Sequence, residues 1–441
     1  RRRARARRQR TRRRMSERYR RSEDHLERAE RTVPLGAQTF SKSRVQYPVG
    51  AAPLFATEGR GARLVDVDGH EYVDLVCGLA AVLLGYRDPD VDRAVSEQLQ
   101  RGVTFSLSHP IEAEVAELLV ERVPCAEQVR FGKNGSDAAS AAVRIARAHT
   151  GRDHVAVCGY HGWHDWYIGS TSRNRGVPKA VRSLTHSFRY DDASDLERVL
   201  AGRDVAAVIM EPINVAEPSP GYLERVRELC TAHGALLVFD EIVTGLRLAR
   251  GGAQELFGVT PDLAVFGKGL ANGLPLSAVT GPEALMRGFE EVFFSTTFGG
   301  ETLALAAAKA VLEKLDREPV VETLMSRGAA LIDGARARIA SHGLDEAVHV
   351  GGRPAWSFVL FAGSGRYGEL ELKTLFLQEC LARGVLTLGS HNVCYALTDV
   401  DVERVLGAYD EVFAILREAI DREDLHARLQ CDVLEPLFRV R

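Results

Sequence analysis

The stretch VFGKGLANGLP places Lys268 directly after the apolar run LAVF and between two glycines. A lysine at the end of a buried strand is costly if it only packs. It can hold a phosphate, bond covalently to a cofactor, or stand harmlessly on a turn. A phosphate-binding loop needs GxxxxGK followed by Ser or Thr. Here Asp262 stands where the first glycine belongs, and Gly269 follows the lysine. A dinucleotide loop fails too, because three residues separate Gly269 from Gly273 and NGLP interrupts any helix that should follow. What remains is a Schiff base, for which a lysine at a strand end near a desolvated pocket is suited.

Pyridoxal phosphate would supply the carbonyl, and it makes separate demands: a carboxylate for the pyridinium nitrogen, a helix start for the phosphate, and an aromatic ring against the pyridine. Asp240 ends the apolar run LLVF in ALLVFDEI, so it needs a positive or donating partner. A capping role or an ion pair would satisfy it equally. In FGKNGSDAASAAVRIARAHTG a strand gives way to a glycine turn and an Ala-rich helix. The amides of Gly135, Ser136 and Asp137 and the Ser136 hydroxyl could meet an anion there, or the segment is an ordinary N-cap. Tyr160 or His161 of CGYHGWHDWY could stack on the ring, with Trp163, Trp166 and Tyr167 as packing or pocket wall. His161 and His164, three apart with no carboxylate motif, are too thin for a metal site, and none is expected. The Ser/Thr cluster of FFSTTFGGET precedes Gly-Gly and can donate to phosphate or simply form a loop.

These residues need strand ends. From 129 to about 280, apolar runs (VRF, HVAVCG, VAAVIME, ALLVFDE, DLAVFGK) alternate with helical patterns at 137–149 and in GYLERVRELCTAHG. That is the rhythm of a parallel sheet covered on both faces, which binds ligands at the carboxyl ends of its strands. Helical spacing recurs at 89–101, 110–122 and 301–341. GARLVDVDGHEYVDLV reads as a hairpin turning at Asp68-Gly69. The last hundred residues mix strands and helices as a smaller α+β domain, which this hairpin joins. The expected division is a basic arm at 1–32, small-domain residues at 33–88, a large cofactor-binding domain at 89–318 and the rest of the small domain at 319–441.

The chain has 441 residues, 45% hydrophobic, and a net charge of −3. Its first 22 residues carry 13 arginines and one acid, or +12, which leaves −15 on the body. A basic arm on an acidic body could bind nucleic acid. Met15 follows RRRARARRQRTRRR, however, so the arm reads as sequence ahead of the start or as a tail, and no nucleic-acid partner is expected. No apolar stretch approaches the length of a membrane span. The seven cysteines include no CxxC pair. They fit a reducing cytoplasm better than a disulfide framework.

Taken in order, NGSDA, YHGWHD, VFDEI, FGKG and TTFGG resemble the class III aminotransferases of the fold type I pyridoxal-phosphate enzymes, with matching features from about Leu35 to the FRVR end. The resemblance implies an α/β fold, with a large domain built on a mostly parallel sheet and a smaller α+β domain from both chain ends. It also implies a homodimer. Lys268 resembles the lysine that holds the cofactor as an internal aldimine, and Asp240 the acid on its ring nitrogen. Gly135 and Ser136, next to Asp137, match the phosphate site, where the family more often has Ser-Gly-Thr-Glu. Tyr160 matches the stacking ring, with His161 beside it. Glu211 of MEPI matches an acid lining the site, Ile242 or Val243 a side chain against the ring, and Thr297 the threonine that reaches the neighbouring subunit's phosphate.

The nearest group is similar to the glutamate-1-semialdehyde aminomutases, and the departures from it concern the substrate. An arginine in a Pro-Val-Arg stretch holds the carboxylate there; this chain has Pro48-Val49-Gly50. A glutamate before Ala-His-Thr falls near Gly389, and no arginine for an α-carboxylate stands in that segment. His391, Asn392 and Tyr395 offer neutral polar contacts instead, suited to a hydroxylated or sugar-like substrate. The expected activity is transfer of an amino group from a small donor to an aldehyde or ketone. An aminomutase, which returns the amino group to the same molecule, is the alternative.

Overall fold

The computed structural model describes residues 17–436. They form two compact units: one takes in residues 80–84 and 88–323, the other residues up to 79, 85–87 and those from 324 onward.

The first unit is built on a seven-stranded sheet. From edge to edge its strands are Gln128–Gly132, Ser277–Gly281, Leu263–Phe266, Leu236–Asp240, Val205–Met210, His154–Cys158 and Thr185–Ser187. All run parallel except Ser277–Gly281, which is antiparallel to both neighbours. Successive side chains alternate between faces. Val155, Val157, Ala207, Ile209, Val238 and Val265 pack toward the helix Gly135–Thr150. Ala156, Val208, Met210, Leu237 and Phe239 pack toward the helices Ala193–Ala201 and Tyr222–His233. Burial on both faces is why these strands read as unbroken apolar runs. Residues 301–341 form two helices, Thr302–Arg317 and Val320–Ser341, separated at Pro319.

In the second unit the strands Ala56–Arg60, Arg63–Asp66 and Glu71–Asp74 form an antiparallel sheet that Val385–Leu386 extends in parallel. A second sheet joins Val348–Arg353, Trp356–Phe361 and Ser390–Asn392. The arm expected at 1–32 needs a correction. Residues 1–16 lie outside the described residues, but Arg20–Ala29 is a helix with Ser22 and Glu23 buried, and Tyr19 is buried just before it. The Asp68 carboxylate caps the helix, accepting from the amides of Arg21 (2.7 Å) and Ser22 (3.0 Å). The cap comes from the hairpin turn, some 46 residues away in sequence, so arginine content alone hid it.

All seven cysteines are buried, and none forms a disulfide. Among the described residues no helix is long and apolar enough to cross a membrane.

Candidate active site

Five parallel strands deliver the candidate residues at their carboxyl ends. Gln128–Gly132 leads to Gly135 and Ser136, His154–Cys158 to Tyr160 and His161, and Val205–Met210 to Glu211. Leu236–Asp240 ends on Asp240 itself, and Leu263–Phe266 leads to Lys268. Lys268 adopts φ +43°, left-handed for a residue with a side chain. Such a conformation costs on the order of 1 kcal/mol and persists only where surrounding structure imposes it. Its ammonium makes no hydrogen bond or ion pair among the described residues. Water reaches the half-buried side chain, yet the protein around it removes enough solvent to push the ammonium pKa down, against the attraction of Glu211 and Asp240; Arg247 adds to the depression.

Asp240 is 4% exposed. Its Oδ2 lies 2.8 Å from His161 Nδ1, and its Oδ1 accepts from the Ile242 amide at 3.1 Å. His161 Nε2 lies 3.1 Å from the Cys158 carbonyl, to which it must donate. Both ring nitrogens therefore face oxygens, and the His161–Asp240 pair shares a proton across the Nδ1 contact. His161 is thus held through both ring nitrogens, and Tyr160, half exposed, is the other candidate ring of this loop, packed edge-to-face on Tyr167. Burial raises the Tyr160 phenol pKa, with the Asp240 charge adding to it.

The next residue, Glu241, goes elsewhere. Its carboxylate accepts from the amides of Ala253 (2.8 Å) and Gln254 (3.0 Å) and from the Thr244 hydroxyl, which anchors the helix Ala253–Phe257. Glu211 stays in the site, accepting from Asn214 Nδ2 at 2.7 Å and the Tyr160 amide at 3.3 Å. Desolvation, with the Asp240 charge second, pushes its pKa up to about 7.

At the start of the helix Gly135–Thr150 the structure separates three residues grouped by sequence. The amides of Gly135 and Ser136 are the first two of the helix, where no intrahelical acceptor exists. The Asp137 amide instead donates to the Asn134 carbonyl at 2.9 Å. Its carboxylate accepts from the amides of Lys133 (3.1 Å) and Asn134 (2.7 Å). Asp137 therefore shapes the helix start. Ser136 Oγ accepts from the Trp163 amide at 3.3 Å, and Gly162 at φ +101° makes this approach possible, since a Cβ there would stand 2.1 Å from that oxygen. Ile242 lies against Gly135, where a Cβ would meet its Cδ1 at 2.6 Å, and also faces Gly267. Val243 is half-buried beside it. No hydrogen bond ties Thr297 to these groups; it is exposed on a loop with Phe293 and Phe298, themselves 80% and 57% exposed.

Sequence reasoning passed over Arg247, which is 1% exposed, donates to the Ala80 carbonyl at 3.1 Å and acts on Lys268 by its charge. Arg247 in TGLRLAR, with Arg250 three residues on, carried no signal beyond a charge in a partly apolar run. The substrate contacts expected of His391 and Asn392 are corrected. His391 is fully buried in its own unit, with Nδ1 2.9 Å from Ser357 Oγ and Nε2 2.8 Å from Tyr409 Oη. Asn392 donates to the Val76 carbonyl at 2.8 Å. Both are committed to structure. Gly50 has φ +93°, and a Cβ there would lie 3.8 Å from Glu23 Oε1.

The site fits pyridoxal phosphate. It combines a strained lysine whose amine has no partner, a buried carboxylate steadied by a histidine, a helix start with two open amides, and a glycine whose Cβ would collide with Ile242. This combination of sheet and strand-end lysine is that of an aminotransferase. The chain belongs to the aminotransferase class-III family, whose model matches residues 46–404. It is 35% identical over 412 residues to a 3-aminobutyryl-CoA aminotransferase of Cloacimonas acidaminovorans, covering 91% of this chain and 98% of the relative. A glutamate-1-semialdehyde 2,1-aminomutase of Desulforapulum autotrophicum is 38% identical over 352 residues, covering 75% and 82%. The solved structure of the FumI protein of Sphingopyxis sp. MTA144, in its PLP internal aldimine form, superposes with a TM-score of 0.85 at 31% identity, covering 93% of this chain and 98% of that one.

Proposed function

We propose that the protein moves an amino group from a small amino donor to an aldehyde or ketone acceptor, with pyridoxal phosphate held by Lys268. The observation that carries this reading is the unpartnered Lys268 amine at a strand end, under the charges of Asp240 and Glu211. When bound, the cofactor supplies an electron sink that acidifies the C–H beside the amino group. Lys268 Nζ takes that proton from the substrate carbon and returns one to the neighbouring position. Its lowered pKa keeps a share of the amine neutral for the purpose. Asp240 holds the proton at the ring nitrogen, and His161, pinned by the Cys158 carbonyl, orients Asp240. The amides of Gly135 and Ser136 hold the phosphate. Tyr160 covers the ring, Ile242 with Val243 lies against it, and Glu211 lines the site.

The working form is a homodimer in which Thr297 reaches the partner's phosphate. The exposed Phe293 and Phe298 beside it, and Leu107 at 84% exposure, support this reading as surface for a second copy to cover. Seven buried cysteines outside any disulfide support a cytoplasmic location.

Transamination is preferred over isomerisation on one observation. Gly50 stands where the aminomutase resemblance expects a carboxylate-binding arginine, and its neighbour is the Glu23 carboxylate. With glycine at that position the chain lacks the guanidinium that the resemblance assigns to a substrate carboxylate. Incubating the holoenzyme with an amino donor and no acceptor tests both points. The donor should convert the cofactor to its amino form and stop; an isomerised product would establish the mutase. Lys268→Ala should abolish turnover and the visible absorbance of the bound cofactor, and a yellow, active variant would sink the assignment.

A further inference from the structure

A second cluster of charges lies on the outer edge of the seven-stranded sheet. Between Asp165 and Asp191 the chain carries no acid but five cationic side chains, Arg173, Arg175, Lys179, Arg182 and Arg189. This run belongs to a body of charge −15 outside the first 22 residues, so the positive stretch is a local exception.

The structure gathers part of this run into an open groove of about 760 Å3. Its walls come from the edge strand Thr185–Ser187 and the helices Lys179–Arg182 and Ala193–Ala201. Lys179, Arg182, Arg198, Arg203 and His186 line it, against one acid, Asp195. Asp195 is already engaged: it pairs with Arg198 and accepts from the Arg189 amide at 2.9 Å. Lys179, Arg182 and Arg203 have no counter-ion among the described residues. Lys179 and Arg203 are exposed and make no ion pair among the described residues. Arg182 is half-buried: its Nη1 makes one long bond to Asn174 Oδ1 at 3.4 Å, and its Nε is buried with no acceptor at all. Buried guanidinium groups are normally satisfied, and an orphan calls for a missing acceptor. Ser170, Ser183 and Thr185 each donate to a backbone carbonyl, and none accepts from the Arg182 Nε among the described residues.

We propose that this groove binds a phosphorylated small molecule of nucleotide size carrying at least two negative charges, held by Lys179, Arg182 and Arg203. Guanidinium and ammonium donors around one concavity suit phosphate oxygens. The groove is larger than a bare ion, and Val199 with the aliphatic stems of Arg182 and Arg198 gives an organic body something to lie against. A nucleic-acid strand is disfavoured because the three cations surround one concavity instead of tracking a backbone along a stripe. The site draws on none of the residues placed around Lys268.

Calorimetric titration of the full-length holoenzyme at low salt with adenosine, AMP and ADP tests the proposal. ADP should bind, AMP about tenfold more weakly, and adenosine not measurably. The exposed double substitution Lys179→Gln/Arg203→Gln should weaken ADP by about tenfold or more, and Arg182→Gln by a similar factor. The melting temperature of the double variant and the absorbance of its bound cofactor should not change. Absence of ADP binding, adenosine binding as tight as ADP, or indifference of ADP to both variants overturns the proposal. So does a single-stranded oligonucleotide that binds more tightly than ADP and loses its binding in the double variant, which would make the groove a nucleic-acid surface.

Discussion

The strand ends around Lys268 and the small sheet around His391 are both dense in buried polar groups, but they complete their hydrogen bonding differently. Around His391 the imidazole and its neighbour Asn392 are matched within their own unit. The imidazole lies between Ser357 and Tyr409, Asn392 is on Val76, and Arg63 reaches Asp401 at 2.8 Å. Burial among these neutral partners pushes the His391 pKa down to about 4, so the ring stays uncharged. Around Lys268 the matching is left incomplete: an amine without a partner, an acid raised to about 7, a histidine sharing its proton with Asp240, and two open helix amides. Chemistry is carried by the region whose valences a ligand must complete; the region that completes its own holds the fold.

The comparison is broken hardest at Lys268. Lys268→Ala removes the group proposed to bond the cofactor and to move the proton, and single-turnover kinetics should show a loss of roughly four orders of magnitude or more. Asp240→Asn keeps the shape and deletes the charge. Turnover should fall about a thousandfold, and the cofactor spectrum should lose its protonated-ring band. If Asp240→Asn works at near wild-type rate, the His161–Asp240 pair is structural, like the one around His391.

The small sheet is tested by acid. The folded pKa of His391 lies below the unfolded value of about 6.5. The unfolded chain therefore binds the proton first as pH falls below about 6.5. Stability is lost from there down to about 4, by on the order of 3 kcal/mol. Urea denaturation at several pH values should show this slope, and His391→Gln should flatten it despite a lower stability at neutral pH. A smaller effect is expected at the helix start. Gly135→Ala forces Ile242 aside from a 2.6 Å approach, which should cost about 1–3 kcal/mol of stability and weaken cofactor retention in dialysis.

Much of this was legible because buried parallel strands announce themselves. LAVF, LLVF and VAAVIM contain no polar break, so the first polar residue after each run marks a strand end, and strand ends are where such sheets bind ligands. Lys268 and Asp240 were found that way, and Glu211 through the family resemblance. The same logic could not separate Asp240 from Glu241, since both stand at one strand end; the amides that hold Glu241 lie 12 and 13 residues further on. It grouped Asp137 with Gly135 and Ser136, because a phosphate cradle and a helix cap use the same residue types. His391 was offered to substrate because it lies in the segment matched to the aminomutase substrate stretch, and only the sheet that pairs Ser357 with His391 shows it is enclosed.

The sequence by itself determined the sheet, the family and the strand ends that carry the reacting groups, because these follow from local apolar runs and short motifs. Only the tertiary structure decided which polar side chains are left open. It put Arg247 near Lys268, Asp68 on the N-terminal helix, Glu23 beside Gly50 and three unmatched cations in one groove. Hydrogen-bond satisfaction depends on partners brought together from distant parts of the chain, and no local pattern encodes it.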